Sequence, residues 1–141
     1  MSRRVLVIDD ERAIARAVAA RLEAAGHAVA CAFTAHEGLR LAREGAFHAM
    51  VLDLRLPDLD GIALLALLRD DERTRATPAV LVSASLSPES RDAAQRLGAS
   101  ASIAKPFNWR ELVAVIEAAM EARAREAANP KRPSAEEAPH D

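Results

Sequence analysis

Short apolar runs recur down this chain, and each gives way to a stretch with helical spacing. Val5–Ile8, Ala28–Ala32, Ala49–Asp53, Ala79–Ser83 and a weaker Ser100–Ala104 carry almost no polar alternation. Runs of that length and character read as strands buried on both faces, the condition of a parallel sheet. The intervening segments carry helix punctuation. Glu11–Ala25 puts Ile14, Val18 and Leu22 on one face and stops at Gly26. Thr34, with Glu37 three residues on, predicts a capped helix ending near Gly45. Asp60 can cap the leucine-rich Ile62–Arg69, and Ser87-Pro88-Glu89 starts a helix that Gly98 ends. Asn108 with Glu111 predicts the last cap, and Leu112, Val115, Ile116 and Ala119 form that helix's buried stripe. Val113 and Met120 fall off the stripe and serve either a partner surface or a wider core.

Strand and helix therefore alternate five times. Short connections and right-handed crossovers favour an α/β fold: a five-stranded parallel sheet, doubly wound with five helices, in strand order 2-1-3-4-5. We expect one domain over residues 1–128. Residues 129–141 hold prolines and charges without apolar periodicity, the composition of a disordered tail. A formal net charge of −2 gives no support to a nucleic-acid-binding surface, and Lys131-Arg132 is too small a basic cluster to supply one. Cys31 is the sole cysteine and reads as a small core residue. No segment approaches a membrane span and no leader is evident, so the expected location is cytoplasmic, with no membrane contact.

Two apolar runs end abruptly in acid: Asp9-Asp10 after Ile8, and Asp53 after Leu52. In the favoured strand order these ends flank the point where the winding direction reverses, which is where open α/β sheets bind ligands. Crowded carboxylates repel one another and want a hard cation, and oxygen-only ligation favours Mg²⁺. The pattern predicts a metal-assisted site for phosphoryl chemistry. His27, His36, His48 and His140 lack the spacing of a metal cluster and read as structural or solvated.

The chain resembles a response-regulator receiver domain of two-component signalling. The marks are Asp9-Asp10, Asp53 followed by Leu56-Pro57 and Asp60-Gly61, then Ser83-Ala84, then Lys105-Pro106, in the family's order across residues 3–122. The resemblance implies a flavodoxin-like fold. It implies that Asp53 accepts a phosphoryl group from a phosphohistidine of a sensor kinase or phosphotransfer protein. It assigns Mg²⁺ to Asp10, Asp53 and the backbone carbonyl of Arg55, with Asp9 acting through water. Lys105 would pair with a phosphoryl oxygen, and Ser83 would supply the switch hydroxyl. Singly, each mark has a plainer reading: Asp9-Asp10 as acid at a helix start, Asp53 as a turn cap, Lys105 as a solvated surface lysine and Ser83 as an ordinary strand-end serine. Their joint occurrence at strand ends along one edge favours the site.

The family's aromatic in the fifth strand is replaced by Ser102, and the chain has no tyrosine. Phe107 and Trp109 lie beyond that strand. No helix-turn-helix pattern follows the last helix, so the expectation is a standalone receiver that catalyses only its own phosphorylation and dephosphorylation. It would signal by binding a downstream target, or a second copy, through the fourth helix, fifth strand and fifth helix. The alternative is a docking module of the same fold that works without phosphorylation. A phosphohydrolase with an aspartyl nucleophile would need an Asp-x-Asp, and Arg55 occupies the second position. Without the aromatic, activation is expected to displace the loop after Ser83 and the fourth helix, Pro88–Leu97, which has few large apolar residues. Amide exchange in Pro88–Leu97 should then change on phosphorylation; unchanged protection there would discard this route.

Overall fold

The computed structural model describes residues 3–128, so the tail expected over 129–141, with His140, lies outside the described residues. The elements run β1 (Arg4–Ile8), α1 (Arg12–Ala24), β2 (Ala28–Ala32), α2 (Ala35–Glu44), β3 (Ala49–Asp53), α3 (Gly61–Arg69), β4 (Ala79–Ser83), α4 (Pro88–Arg96), β5 (Ala101–Ala104) and α5 (Trp109–Ala128). All strand pairs are parallel, in the order β2-β1-β3-β4-β5 expected from the alternation.

Alternation along each strand divides the core into two layers. Leu6, Ile8, Met50, Leu52 and Leu81 face α2 and α3, where they meet Leu64, Leu65 and Leu68. Val5, Val7, Val51, Val80 and Val82 face α1 and α5, against Val18, Leu22, Leu112 and Ile116. Of the strand residues named, those on the first face are Leu, Ile and Met and those on the second are Val. Each fully buried Leu or Ile contributes about 1.5–3 kcal/mol through removal from water. Met120 belongs to the second layer at 3% exposure, and Val113 packs against it. Of the two readings for these residues, the wider core stripe is the correct one, because Met120 follows Ile116 by one helical turn. Cys31 is only half-buried, with Sγ 3.8 Å from the Ala15 carbonyl, and burial pushes its thiol up from the ordinary value.

The helix caps follow local chemistry with two departures. Thr34 accepts from the Glu37 amide at 3.1 Å, but Glu37 reaches past the cap residue to the Phe33 amide at 3.0 Å. Asn108 accepts from the Arg110 and Glu111 amides, and no return bond from the Glu111 side chain forms among the described residues. Ser87 and Ser90 make a reciprocal box at the start of α4. Gly26 and Gly98 end α1 and α4 at φ +97° and +75°, a region that favours glycine. His27 ties the turn before β2 to α5 through Glu117 at 2.9 Å, and His48 accepts from the Arg4 amide at 3.0 Å.

One side chain fastens the N-terminal edge of the sheet. Arg69, at the end of α3, donates to the carbonyls of Leu97, Thr74, Arg75, Thr77 and Gly98 at 2.7–3.3 Å. It joins the α3–β4 connection to the end of α4 and satisfies carbonyls outside any ladder. Arg69→Met keeps the apolar stem and removes these donors. It should cost about 2–3 kcal/mol, read as a lower urea midpoint at unchanged slope.

Candidate functional site

The sheet topology brings the acids together. Ile8 pairs with Leu52 across β1 and β3, so the next residues, Asp9 and Asp53, leave the sheet side by side. Carboxylate oxygens of Asp9, Asp10 and Asp53 lie within 4.8 Å of one another. Asp9 and Asp53 are buried, and Asp10 is exposed. Lys105, just past β5 and followed by a cis peptide to Pro106, projects into this group. Its Nζ lies 3.0 Å from Asp9 Oδ2, 3.0 Å from Asp53 Oδ2 and 3.2 Å from Glu11 Oε1. An ammonium has three protons, so each of these carboxylates can take one.

Three carboxylates therefore share a single ammonium, and Asp10 adds a fourth negative charge beside Asp9 and Asp53. Burial raises the Asp9 carboxyl above its ordinary value; the Glu11 amide and Lys105 pull it down, and Asp53 adds to the rise. Burial works against the Lys105 charge, but hydrogen bonds to Asp9 and Asp53 overcome it and hold the ammonium above its ordinary value. Donors that are all oxygen, crowded and in excess of positive charge suit a small hard cation.

The backbone holds the acids in place. The Asp9 amide donates to the Ala32 carbonyl at 3.0 Å, and Asp9 Oδ1 accepts from the Glu11 amide at 2.9 Å. The Glu11 side chain turns to Lys105, and α1 starts with no side-chain cap. Asp53 Oδ1 accepts from the Arg55 amide at 3.1 Å. Gly61 packs against the same strand end: a Cβ there would sit 2.3 Å from the Asp53 carbonyl oxygen and 2.7 Å from Leu54 Cα. Its amide donates to the Leu54 carbonyl at 2.7 Å.

Asp9, Asp10, Asp53 and Lys105 thus meet as the sequence predicts. Ser83 lies on the same edge, where its carbonyl accepts from the Lys105 amide at 2.9 Å. Its buried hydroxyl bonds Ser85, accepting from that amide at 3.2 Å. The Arg55 side chain also turns to Ser85, with Nε 2.6 Å from Oγ. Sequence reasoning missed Glu11 as a partner of Lys105; the available signal was a third acid directly after Asp9-Asp10. Ser102 is half-buried, and its carbonyl accepts from Arg91 of α4 at 3.1 Å. Phe107 and Trp109 pair edge to face at 5.0 Å, away from that position.

Comparison with known proteins places this geometry. A family model described as the response regulator receiver domain matches residues 5–117. The chain is 35% identical over 116 residues to the uncharacterized transcriptional regulatory protein YkoG of Bacillus subtilis, covering 82% of this chain and 50% of that protein. It is 36% identical over 122 residues to the transcriptional regulatory protein PrrA of Mycobacterium bovis, covering 86% and 52%. It is 37% identical over 107 residues to the sensory/regulatory protein RpfC of Xanthomonas campestris, covering 74% and 15%. The chain thus spans about half the length of the first two relatives and a small part of the third. A CheY-like receiver domain structure from Methanospirillum hungatei superposes at TM-score 0.85 and 30% identity, over 89% of this chain and 99% of that one.

The close approach at Gly61 gives a direct check of how tightly the strand end is held. Gly61→Ala forces backbone to move at Asp53 and Leu54. It should cost about 1–3 kcal/mol, measured by urea unfolding.

Proposed function

This chain belongs to the response-regulator receiver family of two-component signalling, and from that membership we propose a phosphorylation-driven receiver with Asp53 as acceptor. The observation that carries the reading is the buried Lys105 ammonium, 3.0 Å from both Asp9 and Asp53 at the C-terminal edge of the sheet. A carboxylate oxygen of Asp53 attacks phosphorus, an O–P bond forms, the P–N bond of the donor phosphohistidine breaks, and the imidazole leaves. Lys105 then turns from the carboxylates to a phosphoryl oxygen, where its compact charge offsets that of the group. Ser83 supplies a hydroxyl proton to a second phosphoryl oxygen.

The donor set fits Mg²⁺, since three carboxylates converge with charge beyond what Lys105 offsets. Asp10, Asp53 and the Arg55 carbonyl would hold the ion directly. Asp9, with both oxygens already engaged, would act through water. When bound, Mg²⁺ supplies neutralising charge between acceptor and phosphoryl oxygens.

Receivers of this family work with histidine kinases or phosphotransfer proteins and with downstream targets. We take a change of partner binding as the output here, with a homodimer through α4, β5 and α5 as one form of it. The chemistry is confined to the chain's own phosphorylation and dephosphorylation. No helix among the described residues is long and apolar enough to cross a membrane, in keeping with a cytoplasmic receiver.

Intact-protein mass spectrometry after incubation with Mg²⁺ and acetyl phosphate tests the acceptor. One phosphoryl adduct is expected on the native chain, none on Asp53→Ala and none when Mg²⁺ is chelated. A chain that neither forms the adduct nor binds beryllofluoride would instead be a docking module.

A further inference from the structure

Acids gather at the C-terminal edge of the sheet, and guanidinium groups gather at the other. Between the end of α3, the α3–β4 connection, the end of α4 and α5 lies a cavity of about 560 Å³. That size falls within the roughly 300–1,000 Å³ of small-molecule sites. Arg69, Arg75, Arg96 and Arg123 line it, with Glu126 as the one acid and Gln95 as a neutral donor. Four positive charges thus face one negative charge. Little of the excess is offset nearby. Arg96 pairs with Asp92 at 2.8 Å one turn back along α4, and Arg123 meets Glu126 at 4.0 Å; both pairs are exposed, where such contacts contribute little. Arg69 and Arg75 have no carboxylate within 4.0 Å among the described residues. Arg69 is half-buried, and burial pushes its guanidinium below the ordinary value with no anion to oppose the shift. The carbonyls around it satisfy protons but leave its charge. Nη2 makes one bond among the described residues, to the Gly98 carbonyl at 3.3 Å, so one of its two protons remains for a ligand.

We propose that this cavity is a second binding site, for a small polyanion held through its phosphate groups. Guanidinium forks match phosphate and carboxylate oxygens alike. The four here come from α3, the α3–β4 connection, α4 and α5, and so from different sides. A carboxylate presents two oxygens in one plane. A phosphoryl group presents three around a tetrahedron and can be held from several sides at once. No aromatic ring lines the cavity among the described residues, so nothing there stacks on a base, and recognition stops at the phosphates. A bound polyanion joins Arg96 and Arg123 to the junction that Arg69 already fastens, so occupancy stabilises the fold by linkage. The site lies at the opposite edge of the sheet from Asp53 and stands apart from the acceptor reading.

The test is calorimetric titration of the full chain with inorganic tripolyphosphate, in buffer stripped of divalent cations so that the acid edge repels the probe. Saturable binding of one tripolyphosphate per chain is expected, about tenfold tighter than citrate. Citrate binding as tightly overturns the phosphate class. Adenosine triphosphate should bind no tighter than tripolyphosphate, and a preference of about tenfold for the nucleotide overturns a site that reads phosphate alone. Arg75→Gln and Arg123→Gln should each weaken binding about tenfold, the loss of one charge-assisted pair. Arg16→Gln, on the exposed face of α1, changes the net charge by the same amount and should weaken binding about twofold at most. An equal loss in Arg16→Gln reduces the effect to bulk charge and overturns the site. Amide shifts locate the probe without any substitution: Gly98 and Ser100 should move during the titration while Asp10 and Glu11 stay still. No saturable binding to the native chain, or shifts confined to the acid edge, overturns the proposal.

Discussion

Two carboxylates buried beside one ammonium set the terms for this molecule. Asp9 and Asp53 are 3% and 5% exposed at the side chain, and Lys105 is 9% exposed. Removing ions from water costs several kcal/mol each, and even good pairing returns little net stability. A fold gains nothing from assembling such a group for its own sake. The surrounding structure is arranged to tolerate it. Parallel strands deliver Asp9 and Asp53 to the same edge in register, backbone amides of Glu11 and Arg55 take one oxygen of each, and Gly61 lets the next turn close against the Asp53 carbonyl. The excess of negative charge left after Lys105 is the feature that a bound cation can offset.

Much of this was legible in the residues because the relevant rules are local. Apolar runs of uniform length, separated by capped helices, leave little freedom in topology, and every strand lies within a residue of its expected bounds. Once the order β2-β1-β3-β4-β5 is given, a residue at a strand end has a known place in space. Asp9, Asp53, Ser83 and Lys105 could therefore be assigned to one edge without any contact being seen. Side-chain reach was not legible in the same way. Glu11 meets Lys105 across 94 positions, and Arg69 meets Leu97 across 28; both contacts depend on loop paths that no period encodes. Met120 was ambiguous because a helix face broad enough to cover a sheet edge admits a wider apolar stripe than a simple count assigns.

The loops around Asp53 are not held alike, and this bears on where a change at the site can travel. The β3–α3 loop is pinned at both ends. Asp58 accepts from the Ala35 and His36 amides at 2.8 and 3.0 Å and also bonds the His36 ring, capping α2 from a distance. Asp60 caps α3 at 2.7 Å. Moving that loop would uncap two helices at once, at about 1 kcal/mol or more for each.

The β4–α4 side offers less resistance. Within α4 only Ala94 is buried, and the helix is retained by its serine box, by Arg91 on the Ser102 carbonyl and by Arg69 at its far end. An aromatic at position 102 would have made that wall part of the core. A serine there leaves a backbone hydrogen bond from an exposed arginine, which water replaces at little cost. A disturbance that begins at Ser83 and Ser85 therefore meets its weakest restraint at α4. With Ser102 at that position, α4 is held by fewer buried contacts than the β3–α3 loop is by its caps.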